Sequence, residues 1–209
     1  MSQRLHTGRL VLTPKDPGYL PNDLAAILEK LQSIGLINGE VPGEASRYLL
    51  GDRFMQLVTF MGCSPSIQLG PGEADEPYCY LAIAGPYQSP RLIYGKNTTP
   101  PRCESCRKRI TDWRTAIKIW RDSTPNCLIT CPHCGHQQNP TRYDWRQSAG
   151  SGRLFLLIEN IFPQEAIPAP ALLDQLCKAT GDQPWHYFYQ QEDCQTHPSS
   201  ETESENMNT

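Results

Sequence analysis

The sequence CESCRKRITDWRTAIKIWRDSTPNCLITCPHCGHQ, residues 103–137, contains two Cys-x-x-Cys pairs with 24 residues between them. Two residues between paired cysteines allow one tight turn to present both sulfur atoms on the same side. A zinc ion binds four thiolates in a tetrahedron, at about 2.3 Å from each sulfur. Each pair therefore supplies half of a metal site, and we predict four ligands: Cys103, Cys106, Cys131 and Cys134.

This pattern resembles the cysteine turns of the zinc-ribbon family, over about residues 101–140 only. The resemblance implies one structural zinc ion in a closed site of four thiolates, with no open position for catalysis. The segment between the pairs is longer than the usual spacing of about 15 to 20 residues. This costs only a few tenths of a kcal/mol, because loop-closure entropy grows with the logarithm of length. Gly135 follows the last cysteine and can adopt the positive φ that such turns use.

Other readings of the cysteines remain open at this point: an iron–sulfur cluster, a redox-active thiol pair or reduced thiols without metal. Three nearby residues have similar ligand chemistry, namely Cys127, His133 and His136. We expect Cys127 to be buried in the strand-like sequence CLIT. We expect the two histidines to face solvent or to contact the ligands without binding the metal.

Length and composition indicate one soluble core with an insertion. A chain of 209 residues is long for one average domain and short for two. No apolar run approaches the roughly 18 residues that span a membrane, and the N-terminal sequence has no apolar segment typical of a signal peptide. Nine cysteines then indicate metal ligands or buried side chains in a reducing compartment rather than disulfides. We therefore expect a cytoplasmic protein without a membrane partner.

Strand-like and helix-like segments lie on both sides of the cysteines. Residues 9–14, 54–62, 78–85, 91–95, 152–162 and 184–190 are expected to be strands, those at 78–85 and 91–95 forming a hairpin. A helix capped by Asn22 or Asp23 is expected to end near Gly35 or Gly39, and a second helix is expected over 169–181. The fold class is α+β, with a single mixed or antiparallel sheet and packed helices.

We divide the chain into four parts. Residues 1–100 and 141–191 are expected to form the two halves of the core, which closes across the zinc-ribbon insertion at 101–140. We expect the segment at 141–153, which contains the sequence GSGR, to be a linker that returns the chain to the core. Residues 192–209 are acidic and almost devoid of apolar side chains, so we expect a disordered tail.

The charge is distributed unevenly along the chain. From Arg91 to Arg153 there are twelve Lys or Arg residues and four acidic ones, a net charge of +8, whereas the remainder carries −11. An anionic partner would be attracted to the middle segment first.

Within that segment, Trp113, Ile117 and Trp120 recur at helical spacing, which has two interpretations. In one, the tryptophans stack on nucleic-acid bases while neighbouring cations contact phosphates. In the other, the apolar stripe packs the ribbon against the main core and the cations face water. The residues that we predict to bind a partner are Arg107, Lys108, Arg109, Arg114, Lys118 and Arg121.

Evidence for an enzyme is weak. Cys63, in the sequence MGCSPS, is a candidate nucleophile, and His186 is the one histidine placed to activate it. The alternative is a buried cysteine before a proline turn and a histidine within an aromatic strand. Cys79 and Cys177 lie on apolar faces and are interpreted as core residues. No catalytic sequence motif accompanies them.

The sequence thus predicts a zinc-containing binding or adaptor protein, not an enzyme. Its basic ribbon contacts an anionic macromolecule, either RNA or DNA or an acidic protein surface. One alternative is a protein-interaction subunit of a larger complex, in which zinc is purely structural. Another is an enzyme that uses Cys63.

Overall fold

The computed structural model describes residues 8–61, 67–72, 77–122, 127–161 and 164–191. The predicted nucleophile, Cys63, and the tail predicted at 192–209 lie outside the described residues. Within them there are four α-helices, α1 (Leu24–Ser33), α2 (Phe54–Leu57), α3 (Trp113–Asp122) and α4 (Pro170–Ala179), and one 3-10 turn at Pro140–Arg142. The strands of the described chain are β1 (Gly8–Pro14), β2 (Ile37–Glu40), β3 (Arg47–Leu50), β4 (Val58–Phe60), β5 (Leu81–Ala84), β6 (Arg91–Tyr94), β7 (Ile129–Thr130), β8 (Gln137–Gln138), β9 (Ala149–Gly152), β10 (Phe155–Ile161), β11 (Ala166–Pro168) and β12 (Trp185–Gln191).

Six strands form an antiparallel sheet in the order β12-β1-β10-β5-β3-β2. Strand β1 begins the described chain, yet both of its neighbours, β10 and β12, follow the cysteine region. The predicted closure of the sheet across the insertion is therefore confirmed, as is the α+β fold class. Both edges of β1 are thereby paired, and its Leu10 and Leu12 belong to the buried core.

One face of this sheet packs against helices α1 and α4. Its core includes Leu12 of β1, Leu156 of β10 and Leu81 of β5, all at most 1% exposed. Helix α1 begins after Asp23, whose carboxylate accepts the backbone N–H of Ala25 at 2.8 Å, and this side chain is one of the two predicted caps. The chain then turns at a left-handed glycine, Gly35, as the sequence predicts.

The opposite face is covered by the two-stranded sheet of β6 and β9. Strand β9 has the sequence AGSG and lies against β12 and β1. A Cβ atom at Gly150 would overlap the buried ring of Phe188, and one at Gly152 would overlap Thr13 Oγ1. The absence of side chains at these two positions therefore allows close contact between the layers. The linker predicted at 141–153 is wrong for this part, which is a strand.

The predicted hairpin of 78–85 with 91–95 is also wrong. Strand β5 pairs with β3 on one edge and with β10 on the other, so no edge is left for β6. The chain leaves the sheet after β5 because Tyr87 exchanges two hydrogen bonds with Arg153: its N–H donates to the Arg153 carbonyl and its carbonyl accepts from Arg153 Nε, both at 2.8 Å. This places β6 over the second face, where it pairs with β9.

The strand predicted over 54–62 is wrong in its first half. Phe54 and Leu57 form one helical turn, which places both side chains in the core from the same side. The chain then becomes extended at Val58, in β4, which pairs with β11. The strand at 152–162, the helix at 169–181 and the strand at 184–190 appear as predicted, as β10, α4 and β12. None of the helices in the described ranges is both long and apolar enough to cross a membrane.

Replacement of Gly150 by alanine should lower the free energy of unfolding by about 1–3 kcal/mol, because the new Cβ would overlap the ring of Phe188, which is 1% exposed and would have to shift within the core. Urea denaturation measures the change. Gly70→Ala is the matched control, since a Cβ there has no atom within 4 Å. Equal midpoints for the two variants would contradict this description of the layer contact.

Candidate metal centre

The two cysteine pairs form turns with the same backbone hydrogen bonds. In the first turn, the Cys103 N–H donates to the Lys108 carbonyl at 3.0 Å and the Arg107 N–H donates to the Cys103 carbonyl at 3.0 Å. In the second, the equivalent distances are 2.8 Å from Cys131 to His136 and 3.0 Å from Gly135 to Cys131. The residue after the second cysteine is left-handed in both turns. The prediction for Gly135 is therefore confirmed, with φ of 72°.

These turns bring the four predicted cysteines together. Cys103 Sγ lies 3.8 Å from Cys134 Sγ, and Cys106 Sγ lies 3.9 Å from Cys131 Sγ. All four sulfur atoms lie within 4.8 Å of one another. Sulfurs at about 2.3 Å from a central ion form a tetrahedron with edges of about 3.8 Å. The four residues, none of which is in a disulfide, can therefore hold one metal ion.

The four cysteines lie partly within a hydrophobic cluster that is separate from the core of the six-stranded sheet. Cys103 and Cys131, the first residue of each pair, are buried, whereas Cys106 is half-buried and Cys134 is exposed. We call residues 101–149 the knuckle region. The buried residues of its cluster, besides the two cysteines, are Ile110, Trp113, Ile117, Tyr143, Trp145 and Ala149. The sulfur atoms therefore close one side of a small apolar core.

Helix α3 contributes Trp113 and Ile117 to this cluster and also buries Trp120. Trp113 is 1% exposed and Trp120 is 9% exposed, and the Trp113 ring contacts Trp145 edge-on at 5.3 Å between centroids. The helix is amphipathic as predicted, with its apolar stripe facing inward. The interpretation in which these tryptophans stack on bases is therefore wrong, because their rings are buried within the protein.

Two buried polar side chains lie near the sulfur atoms. Gln138 is 4% exposed; its Oε1 accepts the Glu104 N–H at 3.1 Å and lies 4.0 Å from Cys103 Sγ, whereas its Nε2 has no hydrogen-bond partner among the described residues. The same holds for the hydroxyl of Tyr143, whose pKa is raised to about 12 by burial and then by the nearby Cys131 and Cys103. The Tyr143 hydroxyl is a donor at neutral pH, and metal-bound thiolates attract such donors.

The remaining ligand candidates do not join the four sulfurs. His133 lies with Nε2 3.0 Å from the Arg109 carbonyl, so it links the two turns through the backbone. His136 is exposed, and its backbone carbonyl, not its ring, contributes to the second turn. Cys127 is only half-buried and lies outside the four-sulfur group, so the expectation of burial is wrong for this residue.

The six predicted partner-binding residues are all exposed. Arg114, Lys118 and Arg121 recur at i, i+4 and i+7 and form one row along α3, beside its buried stripe. The Arg114 guanidinium lies 4.3 Å from the Trp113 ring centroid, and Arg121 lies 3.7 Å from Asp122. Arg107 donates to Asp144 Oδ2 at 2.8 Å. Lys108 and Arg109 lie in and after the first cysteine turn.

The suggested Cys63–His186 pair has one member in the described chain. His186 is half-buried on β12, and its Nε2 is buried without a hydrogen-bond partner in the ranges described. Burial and then the charge of Lys15 lower its pKa.

Cys79 is buried, and burial followed by the charge of Glu159 raises its pKa to about 12, so this thiol is protonated and unreactive at neutral pH. Cys177 is half-buried on α4.

Sequence reasoning missed three residues of this region, which are Gln138, Tyr143 and Asp144. A signal was present in TRYDWR, residues 141–146, where aromatic residues alternate with polar ones. Such alternation is typical of an extended segment with one buried face.

No protein family, curated protein or solved structure matches this chain. What the site does must therefore be argued from its own residues.

Replacement of Cys131 by alanine should abolish metal binding, since three thiolates remain and the removed ligand lies on the buried side. Elemental analysis of the purified protein measures the metal content, and the tryptophan emission should shift to longer wavelength as Trp113 and Trp145 become hydrated. Cys127→Ser is the matched control and should retain the metal. A Cys131→Ala protein with undiminished metal content would contradict the proposed ligand set.

Proposed function

We propose that the four cysteines bind one structural zinc ion and that the basic surface of the knuckle region binds the phosphate backbone of RNA or DNA. The observation that carries the proposal is the division of this region into two sides. Its aromatic residues and first-position cysteines face inward, whereas its cations face water. The protein then acts as a binding or adaptor protein in the cytoplasm, where reducing conditions keep thiolates available for metal.

The donor set supports zinc. Four thiolates at tetrahedral spacing favour zinc or a single iron ion. A cluster of several iron atoms would hold its cysteine sulfurs further apart, because metal and sulfide atoms lie between them. A site with four protein ligands has no open position for a substrate, so the ion would serve folding. Zinc binding to such small regions contributes on the order of 10 kcal/mol.

The surface supports recognition of phosphates and not of bases. The row of Arg114, Lys118 and Arg121 spans about 10 Å along α3 at the helical rise of 1.5 Å per residue. Because the tryptophans beneath this row are buried, binding would depend on charge. The described residues from 101 to 153 contain ten Lys or Arg and four acidic residues. Such contacts give affinity through counterion release and little sequence preference.

Docking onto an acidic protein face is the second candidate. Two apolar side chains of the knuckle region support it, since Ile119 on α3 is 50% exposed and Leu128 is 53% exposed. Protein interfaces combine such apolar contacts with complementary charge. The sequence-based alternative of a Cys63-dependent enzyme stays a hypothesis, and rapid alkylation of Cys63 near neutral pH would favour it.

The identity of the metal is directly testable. Elemental analysis of protein purified without added metal and without chelators should find one zinc ion per chain. Iron at the same stoichiometry would contradict the choice of zinc but keep the site. Absence of any metal, with four thiols that all react with a thiol reagent under native conditions, would contradict the site itself.

Simultaneous replacement of Arg114, Lys118 and Arg121 by glutamine should weaken binding to a fluorescent RNA or DNA 20-mer by about 100-fold or more near 0.1 M salt. The slope of log K against log salt should fall by about 2 to 3, as three phosphate contacts are lost. Fluorescence anisotropy between about 50 and 200 mM salt measures both quantities. Circular dichroism verifies that α3 remains folded without the Arg114–Trp113 contact.

The control for net charge is the triple variant Lys15→Gln, Arg53→Gln, Lys178→Gln, whose three residues are exposed and lie outside the knuckle region. An equal loss in the control would mean that overall charge, not this surface, drives binding. If the unmodified protein binds neither oligonucleotide at low salt but binds poly-glutamate, the acidic protein partner is favoured instead.

A further inference from the structure

The segment from Arg142 to Arg146 has one buried and one solvent-facing side. Tyr143 and Trp145 are both 5% exposed and belong to the cluster of the knuckle region. Arg142 and Arg146 are exposed, and Asp144 between them is half-buried. The chain is extended at Tyr143 and forms a β-bridge at Asp144, so these two side chains point to opposite sides. Arg142 ends a 3-10 turn and Arg146 begins a left-handed turn, and both side chains reach solvent.

Asp144 joins this face to the first cysteine turn. Its Oδ2 accepts a hydrogen bond from the Arg107 guanidinium at 2.8 Å, and its Oδ1 accepts the backbone N–H of Arg146 at 3.2 Å. The backbones of Asp144 and Arg102 exchange two hydrogen bonds, of 3.0 and 3.3 Å. Arg102 Nη1 also donates to the Arg107 carbonyl at 3.4 Å. Three arginines, Arg102, Arg107 and Arg146, are therefore joined to Asp144 by hydrogen bonds, and together with its carboxylate they carry a net charge of +2.

The carboxylate occupies few of the available donors. Each guanidinium has five N–H groups, so three arginines offer about fifteen. In the described residues, Asp144 accepts from one of these guanidinium groups and the Arg107 carbonyl accepts from another. Arg142 and Arg146 make no side-chain hydrogen bond or ion pair with any part of the chain that the structure describes. A cluster of like charges that is not neutralised internally attracts an external anion.

The backbone at Arg146 gives a second, independent indication. Arg146 and Gln147 have φ of 49° and 62°, and the Ser148 N–H donates to the Trp145 carbonyl at 3.0 Å. This is a two-residue turn with both central residues left-handed, where asparagine and glycine are preferred. Arginine at such a position costs on the order of 1 kcal/mol.

The surrounding structure holds this turn in place. The Gln147 carbonyl accepts the Tyr189 N–H at 3.0 Å, and the Ser148 carbonyl accepts from Thr98 Oγ1 at 2.7 Å. Neither contact involves the Arg146 side chain, which adds nothing to the turn that a glycine or asparagine would lack. A strained arginine without an internal partner therefore indicates a use outside the folded chain.

We propose that Arg102, Arg107 and Arg146 form an oxyanion site for one phosphate of the bound nucleic-acid strand. Asp144 holds the Arg107 guanidinium and the Arg146 backbone in place beside it. Arginine suits this role because its planar guanidinium binds two phosphate oxygens at once, which lysine does not. This inference rests on the proposed function and adds a contact point outside the row on α3.

The test is the variant Arg146→Asn, measured by anisotropy with the same 20-mer. Asparagine tolerates the left-handed backbone, so the variant should unfold at an equal or higher temperature than the unmodified protein. Its affinity near 0.1 M salt should nevertheless fall by about 5- to 10-fold, and the salt slope should fall by about 1. Arg146→Lys should retain part of the affinity. Lys178→Gln, which removes one positive charge from α4, is the matched control.

The outcomes separate this inference from the proposed function. If the unmodified protein binds the 20-mer and Arg146→Asn binds equally well, the oxyanion site is overturned while the basic surface stands. If the unmodified protein does not bind at low salt, both fall. If Arg146→Asn loses affinity for poly-glutamate and not for the 20-mer, the site serves an acidic protein, which overturns the phosphate assignment.

Discussion

The closeness of four cysteine sulfurs is the constraint on which the knuckle region depends. Cys103 and Cys131 are buried and form part of the region's apolar cluster, while their partners reach the surface. As thiolates, four sulfurs within 4.8 Å of one another would repel, and a metal cation bound between them would offset that repulsion. The cysteine turns, the start of α3 and the segment at 142–146 all pack on this group, so their positions follow from it.

The six-stranded sheet carries the knuckle region at a fixed place. Strands β6 and β9 lie across one face of the sheet. In the sequence, β6 precedes the cysteine turns and α3, and β9 follows them. The close approach of β9 to Phe188 requires Gly150. Further contacts join the region to β12, including the hydrogen bond from the Tyr189 N–H to the Gln147 carbonyl at 3.0 Å. An otherwise small cluster thereby gains support from the main core, which keeps its cations in a defined arrangement.

Charge and apolar surface are separated within this region because each helix or strand has one inward side. Trp113 and Ile117 of α3 are buried, while Lys118 beside them is in water. In TRYDWR the same separation occurs with a period of two instead of a helical period. The two segments pack on one cluster through Trp113 and Trp145, so burial of the aromatic residues leaves arginine and lysine at the surface.

The sequence by itself determined the four clustered cysteines, the left-handed Gly135, the amphipathic α3 and the presence of strands on both sides of the insertion. These are local patterns, set by spacing along a turn, a helix or a strand. Tertiary structure alone decided which strands pair, as β5 shows by joining β3 and β10 instead of its neighbour β6. It also decided that Trp113 and Trp120 are buried and that Asp144 joins Arg107, 37 residues away. Such outcomes depend on which distant segments compete for the same edge, apolar surface or charge, and no local pattern contains that information.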